Sequence, residues 1–285
     1  MRRIVLALCA IGLAVPLAVP VLAPLAAKTG TNATDTQAMA AVLADPRRDA
    51  DRVRDQYRHP AQTLAFFKVR PGMTVVDYDP GGGWYTRVLV PFLGQQGRYI
   101  GLNPDVRGAS AGMQKGQGKL HDTFPVQAAG WFTAPGAPIE AWNSDTLPES
   151  LNGTADRVLL FRWVHNLWRA DLLRRELATM RTLLKDDGLL GIVQHRAKAT
   201  APASYVDGSK GYMREADVIA LVEAGGVELV SRSEINANPN DPANHPRGVW
   251  MLPPNLGGVT DPAERARLTA IGESDRMTLL FKKRR

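Results

Sequence analysis

The chain alternates short apolar runs with amphipathic stretches. Thr74-Val75-Val76 is a run of β-formers that ends in acids, and Val88-Leu89-Val90 lies in an apolar-periodic stretch that predicts a helix over 86–93, closed by Gly94. Arg98 to Leu102 predicts a second strand and Ile139 to Trp142 a third. Asp156 to Phe161, with four consecutive apolar residues, is the continuous run of a central parallel strand. Leu173, Leu177, Met180 and Leu184 recur at helical spacing, with Asp171 as the expected cap and Arg174, Arg175 and Arg181 outside the stripe. Leu189 to Val193 predicts a fifth strand, Tyr212 to Ala224 a helix closed by Gly225-Gly226, Val227 to Val230 a sixth strand and Met277 to Phe281 the last. Residues 106–138 are expected to hold a helix over about 110–124. Residues 236–262, dense in Pro, Asn and Gly, read as a surface excursion, and the whole loop as about 236–275. Strands alternating with helices predict a doubly wound, seven-stranded, mostly parallel sheet with helices on both faces and an antiparallel edge.

The N-terminal stretch departs from this pattern. Arg2 and Arg3 precede an apolar segment, Ile4 to Ala23, and small residues ending at Ala26-Ala27. That is a secretory signal over 1–27, so a periplasmic or secreted location is expected, with membrane contact only through this segment if it stays uncleaved. The one cysteine, Cys9, lies inside it, which leaves the rest of the chain without thiol chemistry. Residues 28–60 read as a linker and lid, with a helix over 38–44 and an exposed, charge-alternating stretch from Arg47 to Arg58; the main domain spans 61–285. The formal charge is +7, much of it terminal, with no basic stripe interleaved with aromatics, so a nucleic-acid partner is not expected.

Candidate chemistry centres on Asp77-Tyr78-Asp79-Pro80-Gly81-Gly82-Gly83-Trp84-Tyr85-Thr86. A strand, a tight glycine turn and a helix start form a place where ligands sit in an open α/β sheet. Thr86 stands where a dinucleotide fingerprint needs its third glycine, and the Gly-Lys-Ser/Thr of a phosphate loop is missing. His165 and His195 are read as ending neighbouring parallel strands on the ligand side; each is either a general base or a satisfied strand-end histidine. The five histidines show no paired metal-ligand spacing.

The stretch Asp77–Thr86 resembles the first motif of class I S-adenosylmethionine-dependent methyltransferases, and the order of Asn143–Pro148, Phe161–Trp168, Leu184–Gly188 and Tyr212–Val230 is similar to later segments of that family. RHPAQTLAFF with PGGGWYT looks like a group of exported predicted methyltransferases. The resemblance implies a Rossmann-like methyltransferase fold with S-adenosylmethionine as cofactor. It places Asp77, Asp79, Gly81, Gly83, Tyr85, Asn103, Asn143 and Asp145 at the donor. Asn103 and Asn143 stand where the family usually has acids for the ribose and the adenine amine, with Asp105 as a substitute for the former. Asp79, where the family has a glycine, either faces the donor or holds the turn by hydrogen bonds. Trp84 and Tyr85 either stabilise a sulfonium by about 0.5–2 kcal/mol or pack the first helix. Arg58 is either a ligand of the donor carboxylate or a surface charge. The function expected is methyl transfer to a small-molecule acceptor, with His165 or His195 as base. The alternative is an exported, non-catalytic binding or scaffold module that keeps the fold.

Overall fold

The computed structural model describes residues 33–284; the expected signal over 1–27 lies outside them. Seven strands, β1 (Thr74–Tyr78), β2 (Arg98–Asn103), β3 (Ile139–Asn143), β4 (Ala155–Phe161), β5 (Leu184–His195), β6 (Val227–Ser233) and β7 (Arg276–Lys283), form one sheet of order β3-β2-β1-β4-β5-β7-β6. The first five run parallel, and β7 is antiparallel to both β5 and β6. Successive strand residues point to opposite faces. Val76, Ile100, Val158 and Leu160 therefore belong to one core, and Val75, Tyr99 and Leu159 to the other.

The helices longer than one turn are α1 (Ala33–Ala44), α2 (Pro60–Phe66), α3 (Thr86–Leu93), α4 (Ala111–Gln117), α5 (Leu120–Ala129), α6 (Val164–Arg169), α7 (Leu173–Leu183), α8 (Glu215–Glu223) and α9 (Pro262–Ile271). Met39, Leu64, Val88, Leu89 and Phe124 bring α1, α2, α3 and α5 onto one face, while Leu167, Leu177, Met180, Val218 and Val222 bring α6, α7 and α8 onto the other. None of the described helices is long and apolar enough to cross a membrane.

Several expectations are corrected. The helix over 110–124 is two helices, α4 and α5, parted at Gly118-Lys119. Asp171 does not cap α7; it has φ 57°, and Leu172 occupies the cap position without a side-chain bond. Tyr212 lies outside α8, which starts at Glu215, and next to it Met213 bridges to Arg196. The stretch 47–58 is not exposed throughout, because Arg48 and Arg58 are buried. The segment 236–275 is more than a surface loop: it carries α9 and buries Asn236, Asp241, His245 and Glu273. Asp241 anchors it, accepting bonds from Tyr212 Oη (2.7 Å), His245 Nε2 (3.0 Å) and the Asp275 amide (2.8 Å). Its loop composition comes from tight turns that hydrogen-bond inward, which a polar count alone cannot separate from solvated loop.

Candidate active site

At the carboxyl end of the sheet, β1 and β4 are neighbours whose connections leave in opposite directions, the position where open α/β sheets bind ligands. Each adds one further ladder bond past its last residue, Asp79 N to Leu102 O (2.8 Å) and Arg162 N to Val193 O (2.6 Å). The chain then turns left-handed at that same residue, with φ 52° at Asp79 and 58° at Arg162. Non-glycine residues hold this conformation only where the surroundings impose it, and such strain gathers at functional sites.

Two cavities open here. One, of about 360 Å³, is lined by Asp79, Pro80, Gly81, Gly82, Trp84 and Arg87. The other, of about 310 Å³, is lined by His165, Asn166, His195, Trp250, Leu252, Pro253 and Ser274. They share a wall of Arg54, Arg58, Arg162 and Trp163.

On the turn side, Gly81 has φ 51° and Gly83 φ 76°, which explains glycine at both. Their surroundings differ. A Cβ on Gly82 meets nothing within 4 Å, whereas one on Gly83 would lie 2.1 Å from Trp131 Cζ3. Gly82 is thus the glycine facing open space, and Gly83 is covered by the chain's own indole. Asp79 lines the cavity, and its Oδ2 is buried without a hydrogen-bond partner among the described residues. Burial pushes its carboxyl up to about 6, with Arg162 and Gln117 pulling the other way.

The remaining donor candidates divide. Asp77 lies beneath the turn rather than on the cavity wall: it accepts a bond from Tyr99 Oη (2.8 Å), and burial pushes it up to about 7. Tyr85 is buried and stacks on Phe161 at 3.6 Å and 7°, so it packs α3 onto the sheet. The Trp84 ring carries the Arg58 guanidinium at 4.6 Å and donates to Asp51 O (3.2 Å), so it serves the covering segment. Asn103 Nδ2 donates to Gln117 Oε1 (2.5 Å) and Gln117 O (3.1 Å), while its Oδ1 is buried without a partner among the described residues. Asn143 Nδ2 donates to the same Gln117 carbonyl (2.7 Å) and to Pro104 O (3.0 Å). Asp145 pairs with Arg107 (3.3 Å). Asp105 does not replace the missing acid; it faces Arg107 (3.0 Å) and Arg175 (3.2 Å), and those guanidiniums hold its carboxyl low against burial. Glu176, a buried acid on α7, fixes this outward turn by accepting from the Asp105 amide (3.2 Å), Ser144 Oγ (3.0 Å) and Tyr78 Oη (2.9 Å).

On the β4–β5 side the structure brings the two histidines together, their rings 5.6 Å apart. His195 ends β5, but His165 lies in the first turn of α6 rather than at a strand end. Burial pushes His165 down to about 4 and His195 well below its ordinary range, so both are neutral at physiological pH. His165 Nδ1 lies 3.2 Å from Gln194 Nε2, whose amide is fixed by Gly211 O (2.8 Å), so this nitrogen is engaged as an acceptor. His195 Nδ1 meets Ser274 Oγ at 2.5 Å, and a hydroxyl accommodates either tautomer. His165 Nε2 then carries the hydrogen, whereas the Ser274 contact allows His195 Nε2 to be the proton-accepting nitrogen, on a ring whose burial lowers its basicity.

Glu273 is ringed by Arg54 (2.5 Å), Arg58 (3.2 Å) and Arg276 (3.0 Å). Burial alone would raise its carboxyl, but Arg276, Arg58, Arg54 and Arg162 outweigh it and hold it down to about 2. Arg58 is therefore neither a surface charge nor wholly free for a ligand. Arg162, Glu273, Ser274, Trp250 and Gln117 were not singled out in the sequence. Arg162 alone had a visible signal, its place directly after the β4 apolar run.

The chain matches no family model and no curated protein. Its fold is similar to that of solved structures. The 4+2 cyclase SpnF aligns with a TM-score of 0.50 at 13% identity, over 80% of this chain and 81% of that one. A SAM dependent methyltransferase from Aquifex aeolicus aligns at 0.45 and 19%, over 70% and 93%. The 1,6-didemethyltoxoflavin-N1-methyltransferase of Burkholderia thailandensis, with bound 1,6-didemethyltoxoflavin and S-adenosylhomocysteine, aligns at 0.46 and 17%, over 93% and 94%. The fold is the Rossmann-like methyltransferase fold. A cyclase among these neighbours means that the chemistry has to be argued from the site.

Proposed function

We propose that this protein transfers a methyl group from S-adenosylmethionine to a small acceptor, with the donor at the Gly81-Gly82 turn and the acceptor in the β4–β5 cavity. The observation that carries this reading is the pair of cavities sharing one wall, since a two-substrate transfer needs adjoining compartments at the strand ends. The residues fit the donor's methionine half best. Gly82 leaves room for close approach, and the unpartnered Asp79 oxygen offers negative charge to an ammonium or sulfonium. Asn103 Oδ1 supplies an unused acceptor for a ribose hydroxyl. When bound, the donor supplies an electrophilic methyl carbon. Asp79 orients it, Trp163 and the covering segment limit water, and His195 takes the acceptor's proton. The signal pattern over 1–27 supports an activity outside the cytosol.

A second reading, a non-catalytic module, is favoured by one observation. Both asparagine amides at the ribose and adenine positions are spent on Gln117. Isothermal titration with S-adenosylhomocysteine separates the two. Binding is expected in the native chain, with at least about a tenfold loss in Gly82→Leu at unchanged thermal midpoint. No binding at millimolar ligand supports the non-catalytic module.

A further inference from the structure

Arg162 has no task in the reaction proposed above. It is held in the left-handed region, and its guanidinium lies within ion-pair distance of no described acid. Glu273 already serves Arg54, Arg58 and Arg276 with its two oxygens. Asp79, the acid across the shared wall, feels Arg162 but makes no ion pair with it, and its free oxygen is the one offered to the donor. The β4–β5 cavity is thus lined by three guanidiniums, those of Arg54, Arg58 and Arg162, beside one committed carboxylate that also serves Arg276. A half-buried cation without a counter-ion at contact distance is poorly compensated, so the site favours an incoming anion.

The facing wall is of another kind. Val249, Trp250, Leu252, Pro253 and Pro254 supply the cavity's apolar lining. Trp163 Nε1 adds a buried donor that lacks an acceptor among the described residues. A volume of about 310 Å³ suits a single-ring molecule. A cationic donor also needs this charge neutralised before it can settle beside the shared wall.

We propose that the β4–β5 cavity binds a small aromatic carboxylate, its two oxygens on the forked guanidinium of Arg162 and its ring against Trp250 and Pro253. The fork matches a carboxylate in plane, which a lysine would not. As methyl acceptor this ligand rests on the function proposed above; as occupant of the cavity it does not.

The test is isothermal titration of the full chain, without donor, using 4-hydroxybenzoate and 3,4-dihydroxybenzoate against their methyl esters. The acids should bind at least about tenfold more tightly than the esters. Arg162→Met should weaken acid binding by about ten- to a hundredfold, well beyond any change it makes in S-adenosylhomocysteine affinity. Arg162→Gly relieves the left-handed backbone, so it should keep or raise the thermal midpoint while losing the acid equally; this guards against a folding defect. Acids that bind no better than esters, or not at all at millimolar concentration, overturn the proposal. So does an Arg162→Met variant that loses S-adenosylhomocysteine instead of the acid, which would assign Arg162 to the donor's own carboxylate. If the native chain binds the acids through Arg162 but not S-adenosylhomocysteine, the methyl-transfer reading falls and the carboxylate site stands.

Discussion

The two halves of the strand-end face differ in what their polar groups have left to do. On the β1–β2–β3 side the chain uses most of its own donors: Asn103 and Asn143 hold Gln117, Asp105 and Asp145 hold Arg107, and Trp131 covers Gly83. On the β4–β5–β7 side charge is left over, with Arg162 unpaired and three arginines sharing Glu273. A satisfied polar group stabilises the fold and offers little to a ligand; an unsatisfied one does the reverse. The first half thus spends most of its polar groups on the fold, keeping Asp79 Oδ2 and Asn103 Oδ1 for a ligand, and the second keeps charge free, with Asp79 and Arg162 as the left-handed residues that meet between them.

The largest expected effect concerns Glu273. Glu273→Gln keeps the shape but removes the one charge inside the arginine ring, and it should cost about 3–5 kcal/mol in urea unfolding. An added aromatic carboxylate should restore part of that loss. A cost below about 1 kcal/mol would mean that the cluster is not held by Glu273.

Asp77 probes the first half through pH. Its folded value, about 7, lies above the ordinary 3.8, so the folded chain holds the proton more tightly than the unfolded one. The stability contributed is complete below about 3.8 and is lost as pH rises through about 7. Asp77→Asn keeps an acceptor for Tyr99 and should remove this decline, leaving the variant more stable at pH 8 by about 1–3 kcal/mol. Parallel pH–stability curves for the two proteins would show that folding does not shift the Asp77 carboxyl.

Gln117 gives the smallest effect and bears most directly on the contrast. Gln117→Ala removes the side-chain acceptor of Asn103 and opens space beside Asp79. S-adenosylhomocysteine affinity should rise about fivefold, the equivalent of about 1 kcal/mol. An unchanged or lower affinity in titration would place the ligand elsewhere than Gln117.

Much of the fold is legible in the sequence because its signals are local. The periodicity from Thr86 to Leu93 matches α3 in both bounds, and the apolar run before Phe161 marks the central strand. The site is less legible. The glycine turn and His195 could be found from strand ends, yet His165 begins α6, and Tyr85 and Asp77 are packed beneath the cavity they were expected to line. Asp105 could not be placed either, since its direction depends on Glu176, 71 residues away.

The sequence by itself determined the strand–helix alternation, and with it a sheet whose carboxyl ends carry a glycine turn and two histidines. Apolar periodicity encodes which face of each element is buried, and that is enough to assemble the layers. Tertiary structure alone decided which charges are paired. Arg54 and Arg58 meet Glu273 across 219 and 215 residues, and Arg162 is left without a partner. Whether a charge is neutralised depends on neighbours that only the folded chain supplies, and no local pattern of residues records them.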